Sequence, residues 1–153
     1  MASARIEEII KRAEVCALSR RMPAHAERLA AEVAQLDPHS AAALRAAVIQ
    51  RGLHERMARR ACQVAPSSLK GATRIIDSMI VIVGRQNTLQ ALQAADYIDF
   101  LATCIRRFAT KKANRFKAAG ELCEHLRQVF GENHLVLELA TIVEGSHRAL
   151  AIV

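Results

Sequence analysis

The chain has 153 residues, a length that predicts one helical domain spanning 1–153 with its own core. Apolar residues make up 52% but aromatics only 3%, and there are 6 Gly and 3 Pro, so the interior must be aliphatic. So few turn-forming residues argue against a β-sandwich or barrel. The net charge of +7 favours an acidic partner without saying which one.

Cys16, Cys62, Cys104 and Cys123 form no CxxC pair and fall on four different predicted helices. They read as small buried apolar residues of a reducing compartment, not as a disulfide or zinc framework. The first twelve residues carry Glu7 and Glu8 and lack the apolar stretch of a secretion signal. No run approaches the ~18 apolar residues of a membrane span, so a cytoplasmic location without membrane insertion is expected.

In chain order, a first helix is predicted over 4–21, with Ile6, Ile9, Ile10, Ala13, Ala17 and Leu18 on one stripe. Pro23 suits the first turn of a second helix, which carries Ala26, Leu29, Ala30 and Val33 inward and stops at Asp37-Pro38. Ser40 can cap a third helix to Arg51, where Leu44, Ala47 and Val48 share a face and Gly52 ends the run. A fourth helix over 53–65 aligns Leu53, Met57, Ala61 and Val64. Ser67 or Ser68 opens a fifth, whose β-branched end, 79–83, reads as the all-round apolar end of a central helix.

Thr88 is placed as the cap of one long sixth helix, with a stripe of Leu92, Ala95, Ile98, Leu101, Ala102, Ile105 and Phe108. A seventh is expected over 112–130, with Phe116, Ala119, Cys123, Leu126, Val129 and Phe130 inward. The eighth, over 133–151, buries Val136, Leu139, Ala140, Val143, His147 and Leu150. Short connections make sequential helices antiparallel neighbours. The expectation is an all-α protein, a compact bundle or short stack of antiparallel helical hairpins, with about seven to eight helices.

The segment 36–66 runs helix, Gly, helix, then a small residue and Pro. With Leu44, Val48 and Gly52 in place, it resembles the tetratricopeptide pattern over about 30 residues. Pro38 and Pro66 are 28 residues apart, short of that family's ~34-residue period, and no second copy is in register. The stretch 44–64 also resembles a helix-turn-helix, with Val48 packing, Gly52 turning, and Leu53, Ala58 and Ala61 facing inward. That resemblance implies that Arg56, Arg59 and Arg60 project from a recognition helix toward phosphates or guanine edges. Arg20 and His25, five apart, resemble the active motif of helical HEPN ribonucleases, but Pro23 falls between them and interrupts the helix they would share.

Between Asp99 and Glu121 lie Arg106, Arg107, Lys111, Lys112, Arg115 and Lys117, with no acid among them. Such a run can neutralise several phosphates, although cations near a helix C-terminus also simply complement its dipole. Phe108 and Phe116 interleave with it but fit the apolar stripes. No pair of histidines sits at helical ligand spacing, and no Gly-rich phosphate loop occurs, so no metal or cofactor is expected. Asp96 and Asp99, three apart on one predicted helix, would be paired carboxylates, although the nearby arginines favour salt bridges.

The function expected from these features is a non-enzymatic helical protein-interaction module. Its surplus of apolar residues predicts self-association, with a dimer favoured. Val81, Leu135, Leu137, Ile152 and Val153 fall off the stripes and are the candidates for that surface. The alternative is a basic nucleic-acid-binding protein using the 44–64 hairpin, the 106–117 patch, or both.

Overall fold

A computed structural model describes the backbone of residues 2–18, 22–110 and 112–152, and side chains over 4–14, 22–110 and 112–145. The expectations for the side chains of Cys16, Ala17, Leu18, Arg20, Lys111, His147, Leu150, Ile152 and Val153 lie outside the described residues. Among the described residues the chain is all-α and has no strand.

The helices are α1 (Ala2–Leu18), α2 (Met22–Ala34), α3 (Pro38–Gln50), α4 (Leu53–Val64), α5 (Leu69–Val83), α6 (Arg85–Ala94), α7 (Tyr97–Phe108), α8 (Phe116–Phe130) and α9 (His134–Ile152). Residue contacts gather into two units, 1–97 and 98–153.

In the first unit α5 is the hub. It packs on α2 most extensively, then on α4, α6 and α3. Its partner of greatest contact is therefore three helices back in the chain, not the sequential neighbour that short loops suggest. Ala72, Ile75, Ile76, Met79, Ile82 and Val83 of α5 are buried against these helices. The β-branched end is helical but not buried all round, since Val81 is 43% exposed.

The helix ends follow local chemistry. Asp37, not Ser40, caps α3: its carboxylate accepts from the Ser40 N–H at 3.1 Å, and Pro38 occupies the first turn. The Ser40 accepting role fails because Pro38 already begins the helix. Hydrogen bonding from the Ser40 side chain and from its N–H holds the Asp37 carboxyl below its usual range. Gly52, at φ 66°, turns the chain between α3 and α4 in the left-handed region that a side chain disfavours. Ser68 caps α5 by accepting from the Gly71 N–H at 3.1 Å. Thr88 caps nothing. It is buried inside α6, and its hydroxyl donates to the Gly84 carbonyl at 2.7 Å.

The expected sixth helix is two helices. Asp96 adopts φ 56°, which ends α6 and starts α7 in a new register. Tyr97, fully buried, marks the change: α7 turns Tyr97, Leu101, Cys104, Ile105 and Phe108 inward, while Ile98 is only half-buried. Burial in this apolar setting pushes the Tyr97 hydroxyl well above its usual range. The break also removes the single helix on which Asp96 and Asp99 were to pair.

In the second unit α8 packs along α9. Ala119, Leu122, Cys123, His125 and Leu126 of α8 are buried, as are Val136 and Leu139 of α9, whereas Ala140 is exposed. The Asn133 side chain caps α9 by accepting from the Val136 N–H at 2.9 Å. Among the described residues no helix is long and apolar enough to cross a membrane.

Candidate nucleic-acid interface

The basic run divides between two helix ends and the loop joining them. Arg106 and Arg107 occupy the last turn of α7, where cations complement the negative end of the helix dipole. Lys112 lies in the loop, Arg115 is the residue at the N-cap of α8, and Lys117 stands in the first turn of α8. All five are exposed, and among the described residues none forms an ion pair. Lys111 lies outside the described residues.

Among its described residues the loop is held by its own hydrogen bonds. The Thr110 hydroxyl donates to the Arg107 carbonyl at 2.9 Å and accepts from the Ala113 N–H at 3.2 Å. Asn114 takes φ 51°, in the left-handed region that Asn tolerates better than most side chains. The Arg115 N–H then donates to the Phe108 carbonyl at 2.9 Å and closes the loop. This closure brings two guanidinium groups to one ring. Arg115 lies 4.3 Å and Arg107 5.8 Å from the Phe108 centroid. Phe108 thus does more than fill the apolar stripe, because its ring holds two cations together by cation–π attraction. In the sequence Phe108 both interleaves with the basic run and fits an apolar stripe. The alternation Arg107, Phe108, Arg115 was available in the sequence, but the loop that folds it back was not.

The positive end of a helix dipole favours carboxylates, yet α8 has no acid in its first turn and no side chain capping it. Arg115 and Lys117 sit there instead, and each is destabilising for the isolated helix. The explanation by dipole complementarity therefore covers Arg106 and Arg107 and fails for Arg115 and Lys117. What remains is a corner of concentrated positive charge, augmented by the N–H groups of a helix start. A phosphate suits such a corner.

The second basic candidate lies on α4, in the first unit. Val48, Leu53, Ala58 and Ala61 are buried, so the inward half of the helix-turn-helix expectation is present. Arg56 and Arg59 are exposed and follow one stripe with Arg60 and Gln63. Arg60 is half-buried, however, and donates to the Gln63 side chain at 3.1 Å, while Glu55 adds an acid to the first turn. The α4 stripe is therefore mixed in charge and has one of its three arginines partly engaged.

The remaining candidates for chemistry are inert or dispersed. Cys62, Cys104 and Cys123 are buried thiols, and burial pushes the Cys104 and Cys123 thiols upward, away from the reactive thiolate. The Cys123 thiol donates to the Val136 carbonyl at 3.8 Å. His125 is buried, which lowers its imidazole to about 4 and keeps it neutral. Among the described residues no group of three His, Cys, Asp or Glu side chains could hold a metal ion. Searches for similar proteins leave the assignment to this geometry: no family model matches the chain, and neither a curated protein nor a solved structure does.

Proposed function

We propose that the chain is a non-enzymatic binding module that holds the phosphate backbone of a nucleic acid on the α7–α8 corner. The observation that carries this reading is that Arg115 and Lys117 stand at the N-terminus of α8, which no side chain caps, and have no ion-pair partner among the described residues. Among the described residues, four arginines elsewhere are held in ion pairs. Arg12 reaches Glu8 and Glu32, Arg51 reaches Glu7 and Glu14, Arg74 reaches Glu27, and Arg127 reaches Glu124. Among the described residues the five cations of the corner have no such partner, and their clustering at one helix–loop–helix junction is what leaves them open to an anion outside the chain. Backbone contacts of this kind supply affinity and position, not sequence readout. The test is a fluorescence-anisotropy titration of the full chain against a labelled mixed-sequence duplex at about 50 mM salt, with poly-glutamate as competitor. Saturable binding that poly-glutamate displaces only at large excess supports the reading, and absence of binding at low salt removes it.

A second reading, self-association through α9, has its own supporting observation. Leu137 is 51% exposed, and Leu135, Ile142 and Val143 of the same helix are only half-buried. A helix this apolar, covered on one face by α8, leaves area that a second copy would hide. Light scattering across a concentration series should then give a dimer mass that Leu137→Asp reduces to the monomer value. A monomer at all concentrations ends this reading.

A further inference from the structure

A cleft of about 490 Å³ opens between α1 and α2 in the first unit. One stripe of each helix forms it. Glu8, Lys11 and Arg12 of α1 recur at i, i+3, i+4, and His25, Arg28 and Glu32 of α2 at i, i+3, i+7, with Leu29 between them. Its volume falls within the range of small-molecule sites. The aliphatic stems of the long side chains and Leu29 make its walls largely carbon.

The charges on those walls are not balanced internally. Arg12 is committed, since it bridges Glu8 on its own helix at 2.8 Å and Glu32 across the cleft. That arrangement engages one oxygen of each carboxylate in the lining, and the second oxygen of Glu32 is buried without a hydrogen-bond partner. Lys11 on one wall and Arg28 on the other are exposed, and among the described residues neither has an ion-pair partner. The cleft therefore offers an apolar interior, a carboxylate–guanidinium bridge that ties its walls, and two uncompensated cations at its edge. From this juxtaposition we propose that the α1–α2 cleft binds a small amphipathic organic acid, its carbon body against Leu29 and the side-chain stems and its carboxylate between Lys11 and Arg28. The charge selects the anion. A neutral ligand of the same shape leaves both cations unsatisfied, and a small hydrophilic anion leaves the carbon walls wet.

The inference is independent of nucleic-acid binding, because its residues lie on other helices. The test is amide chemical-shift perturbation of the full-length protein with four probes: 2-naphthoate, octanoate, the neutral 2-naphthalenemethanol, and acetate. Expected is saturable binding of at least one of the first two with a dissociation constant below about 1 mM. Shifts should centre on α1 and α2, binding by the neutral alcohol should be at least tenfold weaker, and acetate should give no saturable shifts. In Lys11→Gln/Arg28→Gln the affinity for the bound acid should fall at least tenfold, while a Lys11→Arg/Arg28→Lys protein keeps it. Both substitutions are at exposed positions and leave the Arg12–Glu32 bridge in place, so an unchanged amide spectrum verifies the fold. Failure of both acids to bind, equal affinity for the neutral alcohol, or full affinity in the double glutamine variant would each overturn the proposal.

Discussion

Ser68 and His125 each carry a consequence that can be measured one residue at a time. Ser68 satisfies a first-turn N–H of the central helix α5, so Ser68→Ala should lower stability by about 1 kcal/mol in urea unfolding, with an unchanged dependence on denaturant. His125 is neutral in the folded chain because burial lowers its imidazole from 6.5 to about 4. The unfolded chain binds the proton more readily, so the stabilising contribution is complete above about pH 6.5 and is lost as pH falls toward 4. The second unit should lose about 2 kcal/mol between pH 7 and pH 5, above the range where most carboxylates titrate. Chemical denaturation followed by a probe in that unit measures it, and His125→Gln should flatten the profile. The Ser68 cap was legible because Ser before a helical stripe has a standard role. The burial of His125 was not, because it lies beside Leu126 on a face that the stripe Ala119, Cys123, Leu126 made look narrower than it is.

At the scale of helices, periodicity found the apolar faces and misjudged where two segments begin and break. The stripe from Leu92 through Ala95 and Ile98 to Leu101 continues evenly across residues 95 and 96, so nothing in its spacing announces a new helix. Only Tyr97, which that stripe omits and the fold buries completely, carries the signal. The backbone of Asp96 tests the break. At φ 56° a glycine relieves strain and a β-branched residue adds it. Asp96→Gly should be neutral or stabilising by up to about 1 kcal/mol, and Asp96→Val destabilising by about 1–3 kcal/mol. In one continuous helix the order would be reversed, since glycine would cost more than valine. The start of α8 moved from residue 112 to Phe116 for a related reason. Lys112, Ala113 and Asn114 have acceptable helix composition, but the Thr110 side chain and the bond from Arg115 to the Phe108 carbonyl hold them as a loop. Without that loop the basic run would lie along a helix and not gather around one ring.

For the molecule as a whole, charge was visible in the sequence, and its disposition was not. The six-residue basic run could be read directly. Which cations have partners depends on contacts such as Arg12–Glu32, Arg51–Glu14 and Arg74–Glu27, which join helices distant in the chain. Those contacts stitch the first unit together, whereas the corner of the second unit has no ion pair among the described residues. The expected apolar surplus is modest among the described residues, where Val81, Phe100 and Leu137 are the large hydrophobics counted as exposed. Of these, Leu137 lies on α9, the helix to which the proposed self-association is assigned. The most direct measurement is the salt dependence of duplex binding for three proteins. These are the parent chain, a corner variant with Arg106, Arg107, Lys112, Arg115 and Lys117 changed to Gln, and an α4 variant with Arg56, Arg59 and Arg60 changed to Gln. Five phosphate contacts give a slope of log affinity against log salt of roughly −4.5. The account predicts that slope for the parent and the α4 variant, and a slope near zero with affinity largely lost for the corner variant. A steep slope that survives in the corner variant, or that vanishes in the α4 variant, would contradict it.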